Sequence, residues 1–315
     1  MKALICPLNW GLGHATRCVP IIRQYMADGY DVTIAADGYP LEFLKQQFPG
    51  LRFLELPSYH IRYSAGKSQV FAMLCSIPAI LKGIFSEHQW LKKKLTETRF
   101  ELVISDNRFG LWNKKTHSVY ITHQLMIKMP RALKFLEPLM WLIHRCFIAQ
   151  FDECLIPDTN EKEQLSGDLS HKYPLPRHAK FIGILSRFTG VKPDMETKRF
   201  TTVAIVSGPE PQKTLFKNML VEKYKNTPTE TLLICGEPSE EYTSEKTGFI
   251  TQVNHLPDSV FAGHLIRADK IISRSGYSTI MDLKTLNCLH KAEFHPTPGQ
   301  TEQEYLAKIH RRLNH

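Results

Sequence analysis

The sequence predicts an α/β protein of two domains, each a mostly parallel sheet, facing one another across a cleft. Three observations carry this. The chain opens as strand, Gly-rich turn, helix and strand, the start of a parallel α/β sheet. A second strand followed by a turn of small residues begins the pattern again just after residue 200. With 315 residues, the chain is longer than one core ordinarily organises, and two domains of roughly 150 residues are expected.

The elements follow in order. Lys2 to Leu8 is an apolar strand, and Asn9-Trp10-Gly11-Leu12-Gly13-His14 is its turn. From Arg17 the spacing is helical, with Val19, Ile22 and Met26 on one face. Asp31 to Ala36, rich in β-branched residues, is a second strand, and further strand-like runs cover 51–54, 102–105, 118–121 and 153–156. Phe181 to Leu185 closes the first half. Pro174, Pro176 and Pro193 bracket it, which places a hinge between 174 and 199 and divides the chain into 1–180 and 181–315. In the second half a strand over 202–206 leads through Ser207-Gly208-Pro209-Glu210-Pro211 to a helix from Lys213. Strands at 231–236 and 270–273 follow, the latter running through Arg-Ser-Gly to a helix from about Thr279. Such folds bind ligands in the crevice beyond the carboxyl ends of their strands.

At 43% apolar and 23% charged residues the chain is globular. Its seven cysteines are scattered, odd in number and without a C-x-x-C pair. That favours reduced cytosolic thiols over a disulfide frame or a structural zinc site. No signal-peptide pattern opens the chain, and the longest uncharged apolar run, Ser68 to Leu81, is interrupted by Pro78. A cytoplasmic protein is therefore expected.

The net charge of +9 is unevenly placed: 15 Lys+Arg stand against 6 Asp+Glu between Arg52 and Phe151, and the remainder balances. Nucleic acid and anionic lipid are the candidate partners. No recognised nucleic-acid-binding motif accompanies the charge, so lipid is the expectation and nucleic acid is not. The stretches Val70–Leu95 and Leu125–Phe151 combine apolar bodies, aromatic anchors and basic rims. Either they are interfacial helices at a membrane surface or core helices with a solvated basic edge.

Several strand ends carry candidate chemistry. Asn9, Gly11 and Gly13 let a ligand approach the backbone closely at a helix start. The spacing is neither the dinucleotide fingerprint nor a P-loop, since Thr16 stands where the fingerprint has its last glycine. His14 enters the cleft either as a base of near-neutral pKa or as a capping or phosphate-contacting group. Asp106 and His123 end two further strands and should reach the same crevice, although an aspartate there could equally cap a turn. In the second half, Arg274, Ser275, Gly276, Tyr277, Ser278 and Thr279 present small residues and backbone N–H groups at a helix start, which suits a diphosphate. Asp282, one turn beyond Ser278, is placed to pair with two ribose hydroxyls. The run 295–304, with Gln300, Thr301 and Gln303, is a rigid loop of amides and a hydroxyl, or simply an N-capped helix start.

Together, Asn-Trp-Gly-Leu-Gly-His-Ala-Thr-Arg near the start and Arg-Ser-Gly-Tyr-Ser-Thr-Ile-Met-Asp with Thr-Pro-Gly-Gln-Thr-Glu-Gln-Glu-Tyr-Leu near the end resemble one family. It comprises the GT-B glycosyltransferases grouped with the peptidoglycan lipid II N-acetylglucosaminyltransferase and the plant monogalactosyldiacylglycerol synthases. The resemblance spans nearly the whole chain and implies two Rossmann-like domains. The second would hold a uridine diphosphate sugar and the first a lipid-linked or membrane acceptor. It implies that Arg274 to Thr279 contact diphosphate and nucleotide, Asp282 the ribose, and Gln300, Thr301 and Gln303 the sugar or phosphates. Gly11, Gly13 and His14 would line the reaction centre, and Ser207, Gly208 and Glu210 occupy the place of the second domain's phosphate loop. This chain departs from the pattern with aspartate where the lipid II enzyme has glutamate, with a loop poorer in glycine, and with little length for a last helix that crosses back to the first domain.

The reading is an inverting glycosyl transfer at the inner face of the plasma membrane, in cell-envelope chemistry. His14 is the first candidate base and Asp106 the second, Arg274 and helix N-termini hold the leaving diphosphate, and no metal or other cofactor is obligatory, since no Asp-x-Asp is present. The rivals are a sugar-nucleotide 2-epimerase on the same fold and a non-catalytic subunit that recruits a partner to membranes.

Overall fold

The computed structural model describes residues 1–57, 77–161, 163–239 and 241–312. The first seven residues of the expected stretch from Val70 therefore lie outside the described residues.

Seven parallel strands form the first sheet: β1 (Lys2–Pro7), β2 (Asp31–Ala36), β3 (Arg52–Glu55), β4 (Leu102–Asp106), β5 (His117–Ile121), β6 (Glu153–Ile156) and β7 (Ala179–Phe181). Their spatial order is β3-β2-β1-β4-β5-β6-β7. Helices α1 (Leu12–Ala27), α2 (Gly38–Gln47), α3 (Ile77–Glu97), α4 (Glu137–Ile148) and the single turn α5 (Asp168–His171) cover it. The second sheet comprises β8 (Thr202–Ile205), β9 (Thr231–Ile234), β10 (Ser244–Thr247), β11 (Ile250–Val253), β12 (Lys270–Ser273) and β13 (Ala292–Phe294), in the order β10-β11-β9-β8-β12-β13. All its pairs are parallel except the edge pair β10–β11. Its helices are α6 (Gln212–Tyr224), α7 (Asp258–Arg267), α8 (Tyr277–Thr285) and α9 (Thr301–Arg312).

Central strands β1, β4, β8, β9 and β12 are short apolar runs because helices cover both of their faces. In α1, Val19 and Ile22 are fully buried against the first sheet, as the spacing predicts, whereas Met26 is 43% exposed in the last turn, beyond the sheet. The strand expected over 181–185 is shorter and earlier. Pairing with β6 ends at Phe181, and Gly183 then takes φ +80, a left-handed conformation that turns the chain away. The boundary drawn at 180/181 thus falls on the last residue of β7, and residues 182–201 carry neither helix nor strand.

Helix α9 changes the expected two-lobe picture. Its Leu306 and Ala307 pack in one cluster with Leu165 and Leu169 of the first half as well as with Phe294 of β13. Thr301 Oγ1 donates to the Lys128 carbonyl at 2.5 Å, and the Asp168 amide donates to Tyr305 Oη at 2.7 Å. Helix α9 thus joins the two lobes.

Beneath the first sheet's helices lies a buried ion cluster. Arg108 donates to Glu87 of α3 at 2.9 Å, to Asp37 before α2, and to the Pro7 carbonyl at 2.9 Å. Asn9 donates to the other Asp37 oxygen at 2.7 Å, so the turn after β1 is fixed from the same centre. Helix α3 also meets Gly110 through its Glu87 and His88, while α4 meets the adjacent Phe109 through His144 and Phe147. Both helices therefore flank one loop, and each presents an apolar stripe to solvent. Ile77, Leu81 and Phe85 form one; Leu139, Leu142 and Ile143, continued by Phe135 in the turn before α4, form the other. Among the described residues, no helix is long and apolar enough to cross a membrane.

Removing Arg108 withdraws a buried cation from two buried carboxylates. Arg108→Met should destabilise the protein by about 3–5 kcal/mol, measured by urea unfolding. A loss below about 1 kcal/mol would mean that Asp37 and Glu87 are satisfied without it.

Candidate active site between the two sheets

Both sheets reverse their strand order at their centres, β1 beside β4 in the first and β8 beside β12 in the second. At such switch points the following loops diverge and leave a crevice. The loops after β1 (9–11), β4 (106–107) and β5 (122–124) meet those after β8 (206–211) and β12 (274–276) there. Gly11, at φ +86, lies so close to Gly208, at φ +113, that a Cβ on Gly11 would stand 3.6 Å from the Gly208 backbone. Ser278 Oγ donates to the Gly13 carbonyl at 2.7 Å, and a Cβ on Gly13 would come within 3.1 Å of that hydroxyl. The first-lobe turn is thus seated between the second-lobe turn at Gly208 and the start of α8; the close approach requires glycine at 13, and the positive φ favours it at 11.

Within the crevice, register places Asp106 opposite Pro7 and Ile121. Its carboxylate is fully buried and takes Arg17 Nε on both oxygens, at 2.9 and 2.8 Å, with Arg17 Nη2 on Oδ1. His14 Nδ1 stands 3.1 Å from Asp106 Oδ2 and 2.9 Å from Arg17 Nη2. Burial would raise the Asp106 pKa, but the Arg17 charge, with His14 beside it, overrides this and brings it down to about 2. Burial first and the Arg17 guanidinium second hold the His14 pKa below its usual value, against the pull of Asp106. A neutral imidazole results, and its Nε2 has no hydrogen-bond partner among the described residues.

Neither alternative base has this freedom. Asp106 is out of reach behind His14 and Arg17. His123 has Nδ1 3.1 Å from Arg17 Nη1, Nε2 2.8 Å from Glu302 of α9, and its ring stacked on Tyr277 at 4.2 Å. The structure makes His123 a junction between lobes.

The expected donor-binding residues divide into two groups. Several hold the second lobe together. Arg274 is buried, its guanidinium donating to the carbonyls of His295, Pro296 and Gln212, and burial lowers its pKa to about 10. These donors fix the 295–296 loop to α6, while Arg274 Nε has no hydrogen-bond partner among the described residues. Ser275 Oγ donates to the Gln303 carbonyl, and Tyr277 Oη donates across the lobes to that of Pro157. The Gln303 side chain accepts from the Thr297 amide and donates to Gln300, while Thr301 is the inter-lobe contact already described. Glu210 accepts from Thr214 in the first turn of α6. The second group comprises Ser207, Gly208, Gly276 and Thr279, whose loops border the crevice with backbone groups. Asp282 accepts from Ser186 Oγ at 2.6 Å and lies 3.8 Å from Arg187, which also faces Asp258 at 3.4 Å.

Sequence reading passed over Arg17, Glu302, Ser186 and Arg187. Arg17 was findable, because residues i and i+3 share a helix face and it follows His14 by three. Nothing local marks the others. Elsewhere, a surface depression lined by Arg99, Glu101, Lys114, Lys115, His117 and Asp152 opens at the amino ends of the strands, away from this chemistry. Among the described residues, no three His, Cys, Asp or Glu side chains gather to hold a metal ion.

This is the fold of the GT-B glycosyltransferases: two Rossmann-like α/β lobes with the switch points face to face. The structure matches the glycotransferase of kitacinnamycin with TM-score 0.57, 15% identity and 99% and 94% coverage of the two chains. It matches a Streptomyces sp. SF2575 glycosyltransferase complexed with thymidine diphosphate with TM-score 0.55, 12% identity and coverage of 100% and 94%. A UDP-N-acetylglucosamine 2-epimerase from Listeria monocytogenes shares the fold at TM-score 0.54, 10% identity and coverage of 100% and 89%. Two curated relatives, each named an uncharacterized glycosyltransferase, come from Methanosarcina mazei and Methanosarcina acetivorans. Both are 23% identical over 98% of this chain and 83% of their own length. No protein-family model matches the chain.

The Asp282 carboxyl has a pKa raised by burial from 3.8 to about 6. The native state then binds the extra proton between those values, and stability falls as pH rises through the window. Asp282→Asn should therefore unfold at higher urea than the parent at about pH 8, with the difference gone below about pH 4. An equal difference at both pH values would locate the burial cost elsewhere.

Proposed function

We propose that the chain is an inverting, nucleotide-sugar-dependent glycosyltransferase with His14 as its base. The observation that carries this is a part-buried neutral imidazole at the crevice, its Nδ1 engaged by Asp106 and its Nε2 without a partner among the described residues. In this reading the acceptor hydroxyl oxygen attacks the sugar C1 and its proton passes to His14 Nε2. The bond from C1 to the diphosphate breaks, and the electron pair leaves with the diphosphate. Backbone N–H groups at the starts of α6 and α8, reached through Ser207–Gly208 and Gly276–Thr279, are placed to receive the developing negative charge. Asp282, at the side of α8, is the proposed ribose partner, which requires a rotation away from Ser186.

The glycosyltransferase names of the Methanosarcina relatives and of the structural neighbours support the transferase class. The uridine nucleotide and the lipid-linked acceptor rest on the motif resemblance and on the surface of the first lobe. The α3 and α4 stripes flank one loop beside exposed Lys82, Lys92, Lys93 and Arg145. Such a face fits peripheral attachment to an anionic bilayer, where each basic side chain contributes about 1 kcal/mol. An epimerase has no use for that face.

Uridine or thymidine diphosphate at 100 times its Kd should stabilise the native protein by about 2.7 kcal/mol, read as a rise in melting temperature. In His14→Ala that rise should persist while turnover falls about 10²- to 10⁴-fold. Loss of both together would make His14 a phosphate contact; unchanged turnover would remove it from the chemistry.

Sedimentation with vesicles checks the membrane reading. Wild type should pellet with anionic but not neutral vesicles, and less so as salt shortens the Debye length from about 10 Å at 0.1 M to about 3 Å at 1 M. Leu81→Ser combined with Phe85→Ser should abolish pelleting. Equal pelleting on both vesicle types, or none on either, rules the reading out in favour of a soluble acceptor.

A further inference from the structure

We propose that Arg17 is a positioning residue for His14, one that places the imidazole proton on Nδ1 and ties the base to the second lobe through His123 and Glu302. The proposal rests on the reading of His14 as the base and adds to it how that base is prepared.

The geometry poses a choice. Arg17 Nη2 and Asp106 Oδ2 stand at 2.9 and 3.1 Å from the same imidazole nitrogen. A guanidinium can only donate and a carboxylate can only accept. If Arg17 donates to Nδ1, the neutral ring carries its proton on Nε2 and confronts an acceptor hydroxyl with a donor. If Nδ1–H donates to Asp106, Nε2 keeps its lone pair and is a base. Arg17 decides between them by where its own donors go. Nε spans both Asp106 oxygens, Nη2 reaches Oδ1, and Nη1 is drawn away to His123, 3.1 Å off. The carboxylate is thereby held ionised and fixed, with Oδ2 turned to Nδ1. Arg17 is 1% exposed, so no solvent screens its charge from the ring.

The second half of the relay comes from another part of the chain. His123 leaves the end of β5, but its Nε2 is 2.8 Å from Glu302 of α9, and its ring is stacked on Tyr277 of α8 at 4.2 Å with 5° between planes. Arg17 is therefore balanced by Asp106 of its own lobe and, through His123, by a carboxylate from the element that joins the lobes. The charged and titratable groups around His14 are Arg17 and Cys18 on α1, Asp106 after β4, His123 after β5 and Glu302 on α9. Arg17 opposes protonation of His14, whereas Asp106 and Glu302 favour it.

Nitrogen NMR of the full chain labelled with ¹⁵N-histidine reads the proton directly. In the wild type, His14 should show a protonated Nδ1 and a bare Nε2. In Arg17→Gln its titration midpoint should rise by about one pH unit or more, because Asp106 then faces the ring with no competing cation. Arg17→Lys, which keeps the charge, should stay closer to the wild-type midpoint than Arg17→Gln does. In Glu302→Gln the midpoint should fall. Glu302 is at the partly exposed edge, so that arm and Arg17→Lys decide the matter should Arg17→Gln fail to fold. A wild-type proton on Nε2, a midpoint unmoved in Arg17→Gln, or a midpoint unmoved in Glu302→Gln would overturn the proposal. Because these signals do not depend on turnover, their failure is distinct from an active His14→Ala, which would sink the base assignment and leave the proton placement intact.

Discussion

The buried pair of Arg17 and Asp106 is the constraint on which the crevice depends. Both groups are withdrawn from water, and a buried ion pair usually adds little net stability because desolvation offsets the attraction. What such a pair does supply is direction. Asp106 closes the central strand beside β1, and Arg17 stands one turn into the helix after β1, so their contact locks the helix start against the neighbouring strand end. His14, three residues earlier on the same helix, is held at the mouth of the crevice by that lock. Burial, with the Arg17 charge second, keeps its imidazole neutral, so Arg17 contributes to both its orientation and its protonation.

Besides the apolar packing of α9 against Leu165 and Leu169, the lobes meet through polar contacts that the same region organises. The hydroxyls of Ser278, Tyr277 and Thr301 reach first-lobe carbonyls, and His123 meets Glu302. A second set, Arg23, Arg187, Asp258 and Asp282, lies farther along α1. Gly13 lets the first-lobe turn close on Ser278 where a side chain would crowd it, and Gly11 and Gly208 supply the positive φ angles of the two facing turns. The resulting site is one in which each lobe's loops form part of the other's wall.

The motif residues had more than one way to matter. Arg274, Ser275, Tyr277, Gln303 and Thr301 sit in runs that resemble a nucleotide site, yet their polar atoms bind this chain's own carbonyls and amides. They shape the loops that border the crevice. A motif records that a loop must keep its form, and does not say which of its atoms faces the ligand.

The sequence by itself determined the two sheets, the strand ends bearing His14, Asp106 and His123, and the two small-residue turns after β8 and β12. These follow from short-range rules: alternation and runs of apolar residues, helical spacing, and glycine where the backbone must turn or be approached. The antiparallel edge strand β10, Ser-Glu-Lys-Thr, was not legible, because an exposed edge strand has no buried face to pattern it. Nor could sequence assign Met26 to solvent, since the spacing fixes a helix face and only the extent of the sheet fixes where burial stops. Above all, tertiary structure decided the roles within the site. Asp106 and His123 look alike to His14 as titratable strand ends, but a residue's availability depends on partners up to 179 positions away, as Glu302 is from His123. Hydrogen-bond and charge partners at such separations leave no periodic trace in a chain, and it is they that leave His14 Nε2 without a partner among the described residues, bury Asp106 against Arg17 and make His123 the joint between the lobes.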